Sequence, residues 1–251
     1  MARMTGGEAI VDSLLRHGID TVFGLPGVQT YGLFDAFARA SNSLRLINAR
    51  HEQTTAYMAL GYACATGRPS AYAVVPGPGV LNTGAALATA WGVNAPVLCL
   101  TGQVPSMMIG RGRGQLHELP DQLATLRSLL KWVERIEHPS QASHLTARAF
   151  QEMLSGRPGP VALEMPWDQF TASAEITRRS RSPCTRSRSP TPSASPPWRS
   201  CWTRPRRRCC GSEAAPSTPQ RKSAPWPRTS TPPSSHFAAA EASSTTSARS
   251  A

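Results

Sequence analysis

The chain has 251 residues, 27 lysines and arginines against 15 acids, and a formal charge of +12. That length can bury the core of one or two domains. No apolar run is long enough to cross a bilayer as a helix, which argues against a channel or carrier built from such helices. The opening residues MARMTGGEAIVDSLLRHG turn amphipathic without the apolar centre of a secretory signal, so a cytoplasmic setting is the expectation. The charge is unevenly spread: residues 177–251 hold 14 of the 27 basic side chains but only Glu213 and Glu241 among the acids. Residues 1–176 are therefore neutral overall, and nothing in their balance points to a nucleic-acid surface.

From residue 5 onward, helix and strand periods alternate. TGGEAIVDSLLRHG sets Ala9, Ile10, Ser13, Leu14 and His17 near one helical face and ends at Gly18. DTVFGLPG reads as a short strand entering a glycine-flanked turn, YGLFDAFARA as a helix and LRLINA as a strand. HEQTTAYMALGYACATG is a helix closed by Gly67, SAYAVV a buried strand, GVLNTGAALATAWG a helix of small residues and APVLCLTG another buried strand. After a glycine-rich loop, LPDQLATLRSLL predicts a helix, KWVERI a strand, PSQASHLTARAFQEML a helix and GPVALEMP a last strand.

Six strands alternating with helices, most with continuous apolar runs, predict an α/β domain: a six-stranded, mostly parallel sheet with helices on both faces. Ligands of such sheets sit beyond the carboxyl ends of the strands. Those ends carry GLPG at 24–27, RHEQ at 50–53, PGPG at 76–79 and TGQV at 101–104.

Four of the six cysteines, Cys184, Cys201, Cys209 and Cys210, lie beyond residue 177 without paired spacing, so neither a zinc site nor a disulfide framework is indicated. Cys64 and Cys99 fall in apolar runs and read as small core residues. Glu52, taken alone, is an acid favoured at a helix start by the macrodipole, and a Gly-Pro-Gly turn is commonly only a turn.

The order of the segments carries more. FGLPG, RHEQTTAYMALGYACATG, PGPGVLN and TGQVP together resemble the amino-terminal, pyrimidine-binding domain of thiamine diphosphate enzymes, with closest likeness to the acetolactate synthase group. The resemblance covers residues 4 to about 170 and implies a pyrimidine-domain fold for residues 1–176. It implies an enzyme by family, a transferase or lyase acting as carboligase or decarboxylase of small 2-oxo acids. In the family, the glutamate of the RHE motif exchanges a proton with the aminopyrimidine of thiamine diphosphate, which primes the cofactor to add to a 2-oxo acid; here that residue is Glu52. A carboxylate partly removed from water can share a proton with a weak base near neutrality, whereas glutamine would keep the shape and lose the proton.

By the same resemblance, Gly77, Pro78, Gly79 and Asn82 flank the pyrimidine, and Gly24, Pro26 and Gly27 form a second loop at the reaction centre. A plain reading of Asn82 as a helix-surface polar residue stands beside this. Gln103 and His117 are the candidates for the substrate side. At GRGRGQLHELPDQ the chain reads Leu116, His117, Glu118 and later Asp121, where acetolactate synthases usually read Phe-Gln-Glu and then Asp. His117 thus replaces the usual glutamine, and a loop histidine can serve either as a proton carrier near neutral pH or as a solvated side chain.

The family's diphosphate and magnesium site is a Gly-Asp-Gly motif in a separate domain, and no Gly-Asp-Gly occurs in this sequence. The expectation is half a cofactor site, without metal ligands and without an obvious place for the flavin that some relatives carry. The complete enzyme is expected to be a dimer or tetramer, and the chain alone to be inactive and poorly soluble. Residues 177–251 contain no Leu, Ile, Val or Met and read as a disordered, basic Ser/Pro/Arg-rich tail. A G- and C-rich coding region read one base out of step yields such a mixture. From residue 200 the shifted frame permits a helix-period apolar stretch, a glycine turn and an apolar strand. The reading is a frame change near residue 177; the alternatives to an enzyme are a non-catalytic truncated fragment and an Arg/Ser-tailed nucleic-acid-binding protein.

Overall fold

Alternation of side chains along two central strands decides how this chain layers. In the computed structural model, which describes residues 2–178, the elements in chain order are β1 (Ala2–Thr5), α1 (Gly6–Arg16), β2 (Thr21–Gly24), α2 (Tyr31–Arg39), β3 (Arg45–Asn48), α3 (Glu52–Thr66) and β4 (Ser70–Val74). Then follow α4 (Pro78–Asn82), α5 (Gly84–Gly92), β5 (Val97–Gln103), α6 (Gln122–Arg127), β6 (Trp132–Arg135), α7 (Ala142–Leu154), β7 (Val161–Pro166), α8 (Trp167–Thr171) and β8 (Ser173–Ile176). The disorder and frame change expected for the tail lie outside the described residues.

Six strands form one sheet in the order β3-β2-β4-β5-β7-β6, and every neighbouring pair is parallel. Successive side chains of a strand point to opposite faces. Ala71, Ala73, Leu98, Leu100, Val161 and Leu163 accordingly join one core cluster with residues of α1, α2 and α7. Tyr72, Val74, Val97, Cys99 and Ala162 join the other, with residues of α3, α5 and α6. The expected α/β sheet covered on both faces is what the chain forms.

The start of α1 follows from local chemistry. Thr5 Oγ1 accepts from Glu8 N at 3.2 Å while Glu8 Oε2 accepts from Thr5 N at 2.9 Å, a reciprocal cap that satisfies two otherwise orphaned amides. Three elements were not anticipated from sequence. Strand β1 pairs antiparallel with β8 in a small second sheet, and α8 connects β7 to it. The single helix predicted over 79–92 is two, α4 and α5, joined at Thr83.

The two cysteines separate. Cys99 is buried, and burial pushes its thiol up to about 12, so it is a packing residue with no reactive thiolate at neutral pH. Cys64 is exposed, which corrects its expected place in the core. Small and apolar residues occur all round α3, so composition alone does not tell its inner face; the inner face is Thr55, Ala56, Ala59, Leu60 and Ala63. Among the described residues no helix is long and apolar enough to cross a membrane.

Leu98 is fully buried in the middle of β5. Leu98→Ala is expected to lower unfolding stability by about 2–5 kcal/mol, as large-to-small changes in close-packed cores do, measured as a shift of the urea midpoint at unchanged slope.

Candidate active site

From β2 the chain passes to β3 on one side and then returns to place β4 on the other. The carboxyl ends of β2 and β4 therefore border a crevice of the kind where parallel sheets hold ligands. The loop after β2 carries Gly24 to Gly27, and the turn after β4 carries Pro76 to Gly79. Glu52 opens α3 just after β3.

Glu52 is half-buried on the first turn of α3, where the partial positive charge of the helix terminus favours a carboxylate. The preceding residue, His51, caps the helix by accepting from Gln53 N through Nδ1 at 3.2 Å. Asn82 Nδ2 donates to Glu52 Oε2 at 3.0 Å. A methyl group at Gly79 would lie 3.7 Å from Glu52 Cγ, so the turn passes directly beside the acid. Among the described residues no other side-chain hydrogen bond or ion pair reaches the Glu52 carboxylate, so Oε1 makes none.

Gly77 has φ 61° and ψ −119°, a conformation only glycine adopts without strain. A Cβ there would also collide with the carbonyl oxygen of His117. The turn is closed further by Pro78, whose fixed φ suits the first residue of α4. The loop after β2 meets the same place: a Cβ at Gly27 would strike Val75, and Leu25 N donates to the Ala73 carbonyl at 3.0 Å. Gly24 is buried against the Phe34 ring, 2.7 Å from where a Cβ would sit, while Pro26 and Pro78 are exposed.

The structure thus brings Glu52, Gly77, Gly79 and Asn82 together, with Gly27 adjoining through Val75. Gln103 is buried and bonded within the sheet's carboxyl edge: its Oε1 accepts from Val104 N at 2.8 Å and its Nε2 reaches Glu164 Oε2 at 3.5 Å. His117 is half-buried and sits against the Gly77 turn in the left-handed conformation, φ 65°. That conformation costs a residue with a Cβ about 1–2 kcal/mol.

Four residues that sequence reasoning did not select hold this arrangement. Glu164, with no exposure, accepts from Arg135 Nε at 2.5 Å through Oε1 and from Gln122 Nε2 at 2.8 Å through Oε2. Gln122 Nε2 also donates to the Gly102 carbonyl at 3.1 Å, and its Oε1 accepts from Gly77 N at 2.8 Å. Gln29, 5 % exposed, donates from Nε2 to the Leu116 carbonyl at 2.9 Å, and its Oε1 lies 3.2 Å from His117 Nδ1. The one available signal was Glu164, an acid inside the apolar strand VALEMP. Among the described residues no group of His, Cys, Asp and Glu is placed to hold a metal ion.

Residues 4–125 match the thiamine pyrophosphate enzyme N-terminal TPP-binding domain, thiamine pyrophosphate being thiamine diphosphate. The amino-terminal part of this chain belongs to that family, in its acetolactate synthase-like group. Over 182 residues it is 36% identical to the "Probable 2-ketoarginine decarboxylase AruI" of Pseudomonas aeruginosa, covering 70% of this chain and 32% of that protein. Over 168 residues it is 37% identical to an acetolactate synthase of Arthrospira platensis, covering 66% and 28%. Over 174 residues it is 36% identical to the acetolactate synthase isozyme 1 large subunit of Escherichia coli, covering 69% and 30%. The chain matches about a third or less of the length of these relatives.

Gln122→Ala removes the acceptor of Gly77 N–H and one of the donors to a fully buried carboxylate. The expected loss is about 1–3 kcal/mol in urea unfolding, the cost of leaving buried polar groups unmatched. Amide exchange at Gly77 should accelerate more than at residues of β4.

Proposed function

We propose that residues 1–176 are the pyrimidine-binding domain of a thiamine diphosphate-dependent carboligase or decarboxylase of 2-oxo acids, with Glu52 as the residue that meets the aminopyrimidine. The observation that carries this reading is the Glu52 carboxylate at a helix start, bonded by Asn82 on one oxygen only, on a side chain that passes directly beside the Gly79 turn. When bound, thiamine diphosphate supplies an electron sink for cleaving the bond next to a ketone carbon.

The chain's own residues have narrower tasks. Asn82 donates to Oε2 and so orients Glu52, whose Oε1 can give or take a proton at a ring nitrogen. Gly77 and Gly79 let backbone approach a flat heterocycle without a side chain between. Gly24, Pro26 and Gly27 border the opposite side of the crevice. One relative is named for acting on a 2-keto compound and others for making acetolactate, which supports a 2-oxo acid as substrate class. With no Gly-Asp-Gly in the sequence, the diphosphate and its magnesium ion are assigned to other residues than those of this domain, and the chain by itself is proposed not to turn over. Exposed Tyr57, Leu81 and Trp91, on the α3 to α5 side, support a further copy or domain docking there in a complete homo-oligomer.

Calorimetric titration of the purified chain with thiamine diphosphate and magnesium tests the site. Binding is expected, and Glu52→Ala should weaken it roughly tenfold or more, since a hydrogen bond to a charged group contributes about 1.5–3 kcal/mol. Affinity untouched by that substitution would refute the role of Glu52. Carbon dioxide release from pyruvate by the chain alone would overturn the proposed inactivity.

A further inference from the structure

His117 occupies an unusual position for a loop histidine. It is one of two non-glycine residues with positive φ among the described residues, the other being Asn94. Its backbone is pressed onto Gly77, and its ring reaches back to Gln29, which follows the loop after β2. Three segments of the site, 24–29, 76–79 and 115–118, therefore meet at one residue, the Gly77 turn at its backbone and Gln29 at its ring.

The bonding around Gln29 sets where the proton of that imidazole sits. The Leu116 carbonyl can only accept, so the Gln29 atom facing it at 2.9 Å has to be the amide nitrogen. Gln29 Oε1 is then the atom facing His117 Nδ1 at 3.2 Å, and an amide oxygen can only accept. The neutral ring must carry its hydrogen on Nδ1, leaving a lone pair on Nε2. Gln29 is held in place: it is buried, and its own carbonyl lies 2.5 Å from where a Cβ on Gly102 would stand. No hydrogen bond is made to His117 Nε2 among the described residues. The neighbouring acids are bonded to other groups: Glu118 accepts from Gly112 N at 3.2 Å and Gln115 N at 2.9 Å, and Asp121 caps α6 through Ala124 N at 2.8 Å.

We propose that Gln29 fixes His117 as the Nδ1–H tautomer and that His117 Nε2 is the proton carrier on the substrate side of the site. The role rests on the 2-oxo acid reading above. Each carbon dioxide lost from a 2-oxo acid leaves behind the electron pair of the broken carbon–carbon bond, and that pair, or the oxygen it generates after attack on a second carbonyl, takes up one proton. Neutral His117 takes a proton from solvent at Nε2, delivers it from there, and returns to the neutral Nδ1–H form, so one proton is consumed per carbon dioxide released. Gln29 is a positioning residue in this scheme, since it acts only through the ring.

Proton–nitrogen NMR of the full chain, labelled with 15N-histidine and 15N-glycine and read through two bonds at the imidazoles and one bond at the amides, tests the proposal without turnover; His117→Asn, a residue that tolerates the left-handed conformation, identifies the signal. At a pH where the ring is neutral, His117 should give the Nδ1–H pattern, and Gln29→Met should convert it to the Nε2–H form favoured by free imidazole. A ring already in the Nε2–H form, or a tautomer indifferent to Gln29→Met, overturns the assignment. Thiamine diphosphate, magnesium and pyruvate added together should shift the Gly77 and Gly79 amides and the His117 Nε2 resonance. Shifted glycine amides with an unmoved Nε2 would defeat the proton-carrier role while sparing the cofactor reading. No shift at either place would defeat the cofactor reading and the carrier role with it, and the tautomer experiment would still judge the part assigned to Gln29.

Discussion

A carboxylate wholly removed from water has to be matched inside the protein, and Glu164 is such a group. Desolvation of an ion costs several kcal/mol, about what a good partner geometry returns, and removing one partner of a buried pair typically costs about 3–5 kcal/mol. Glu164 is matched on one oxygen by Arg135 and on the other by Gln122. Because Gln122 spends its nitrogen on Glu164 and on the Gly102 carbonyl, its oxygen is committed to Gly77 N. The end of β7, the end of β5 and the turn after β4 are thereby tied by one amide. The position of the Gly77 turn is a consequence of satisfying a charge in the sheet, and Gly79, Glu52 and His117 take their places against that turn.

This division of labour explains which features could be read from the residues alone. The six strands of the main sheet were legible because parallel strands covered on both faces are apolar along their length, as SAYAVV and APVLCLTG are. The crevice was legible because glycine-rich turns follow those strands. Strands β1 and β8 were not, since four-residue segments 168 positions apart in the chain acquire strand character only by pairing with each other. Gln29, Gln122 and Arg135 carried no signal either: a glutamine in a loop or at a helix start looks solvated until the fold buries it, and Gln122 is 1 % exposed. Cys64 failed in the opposite sense, as a small apolar residue on a helix with no distinct polar face.

His117 was conspicuous only by comparison with a family pattern, and its geometry adds what the comparison lacks. A left-handed residue with a Cβ stays in place when its surroundings leave no relaxed alternative. Here the Gly77 turn occupies the space on one side of its backbone and Gln29 holds its ring on the other. Replacement of a glutamine by histidine at this position exchanges an uncharged donor and acceptor for a group that can change protonation state. The supporting Gln29 then matters in a way it would not for an amide, because only an imidazole has a tautomer to choose.

The orientation of Glu52 depends in turn on a residue buried in the core. Tyr72 is fully buried in β4, and burial holds its phenol neutral, well above the usual tyrosine range, so its hydroxyl has to be bonded. It donates to Thr83 Oγ1 at 3.0 Å, and Thr83 passes its own hydrogen to the Val80 carbonyl at 2.7 Å. That bond sits where α4 gives way to α5, and Thr83 N also closes on Val80 O at 2.9 Å, a tighter turn than the helical one. The chain therefore stops one helix at Asn82 and starts another at Gly84, which is why the small-residue segment did not form one helix. Asn82 is left at the end of a short helix begun by the Gly77–Pro78 turn, within reach of Glu52. A tyrosine in the sheet, a threonine at a helix junction and an asparagine at the surface form one line of bonded groups and packed backbone whose last member is the acid. Shortening or lengthening α4 by one residue would rotate Asn82 by about 100° around the helix axis and break that line.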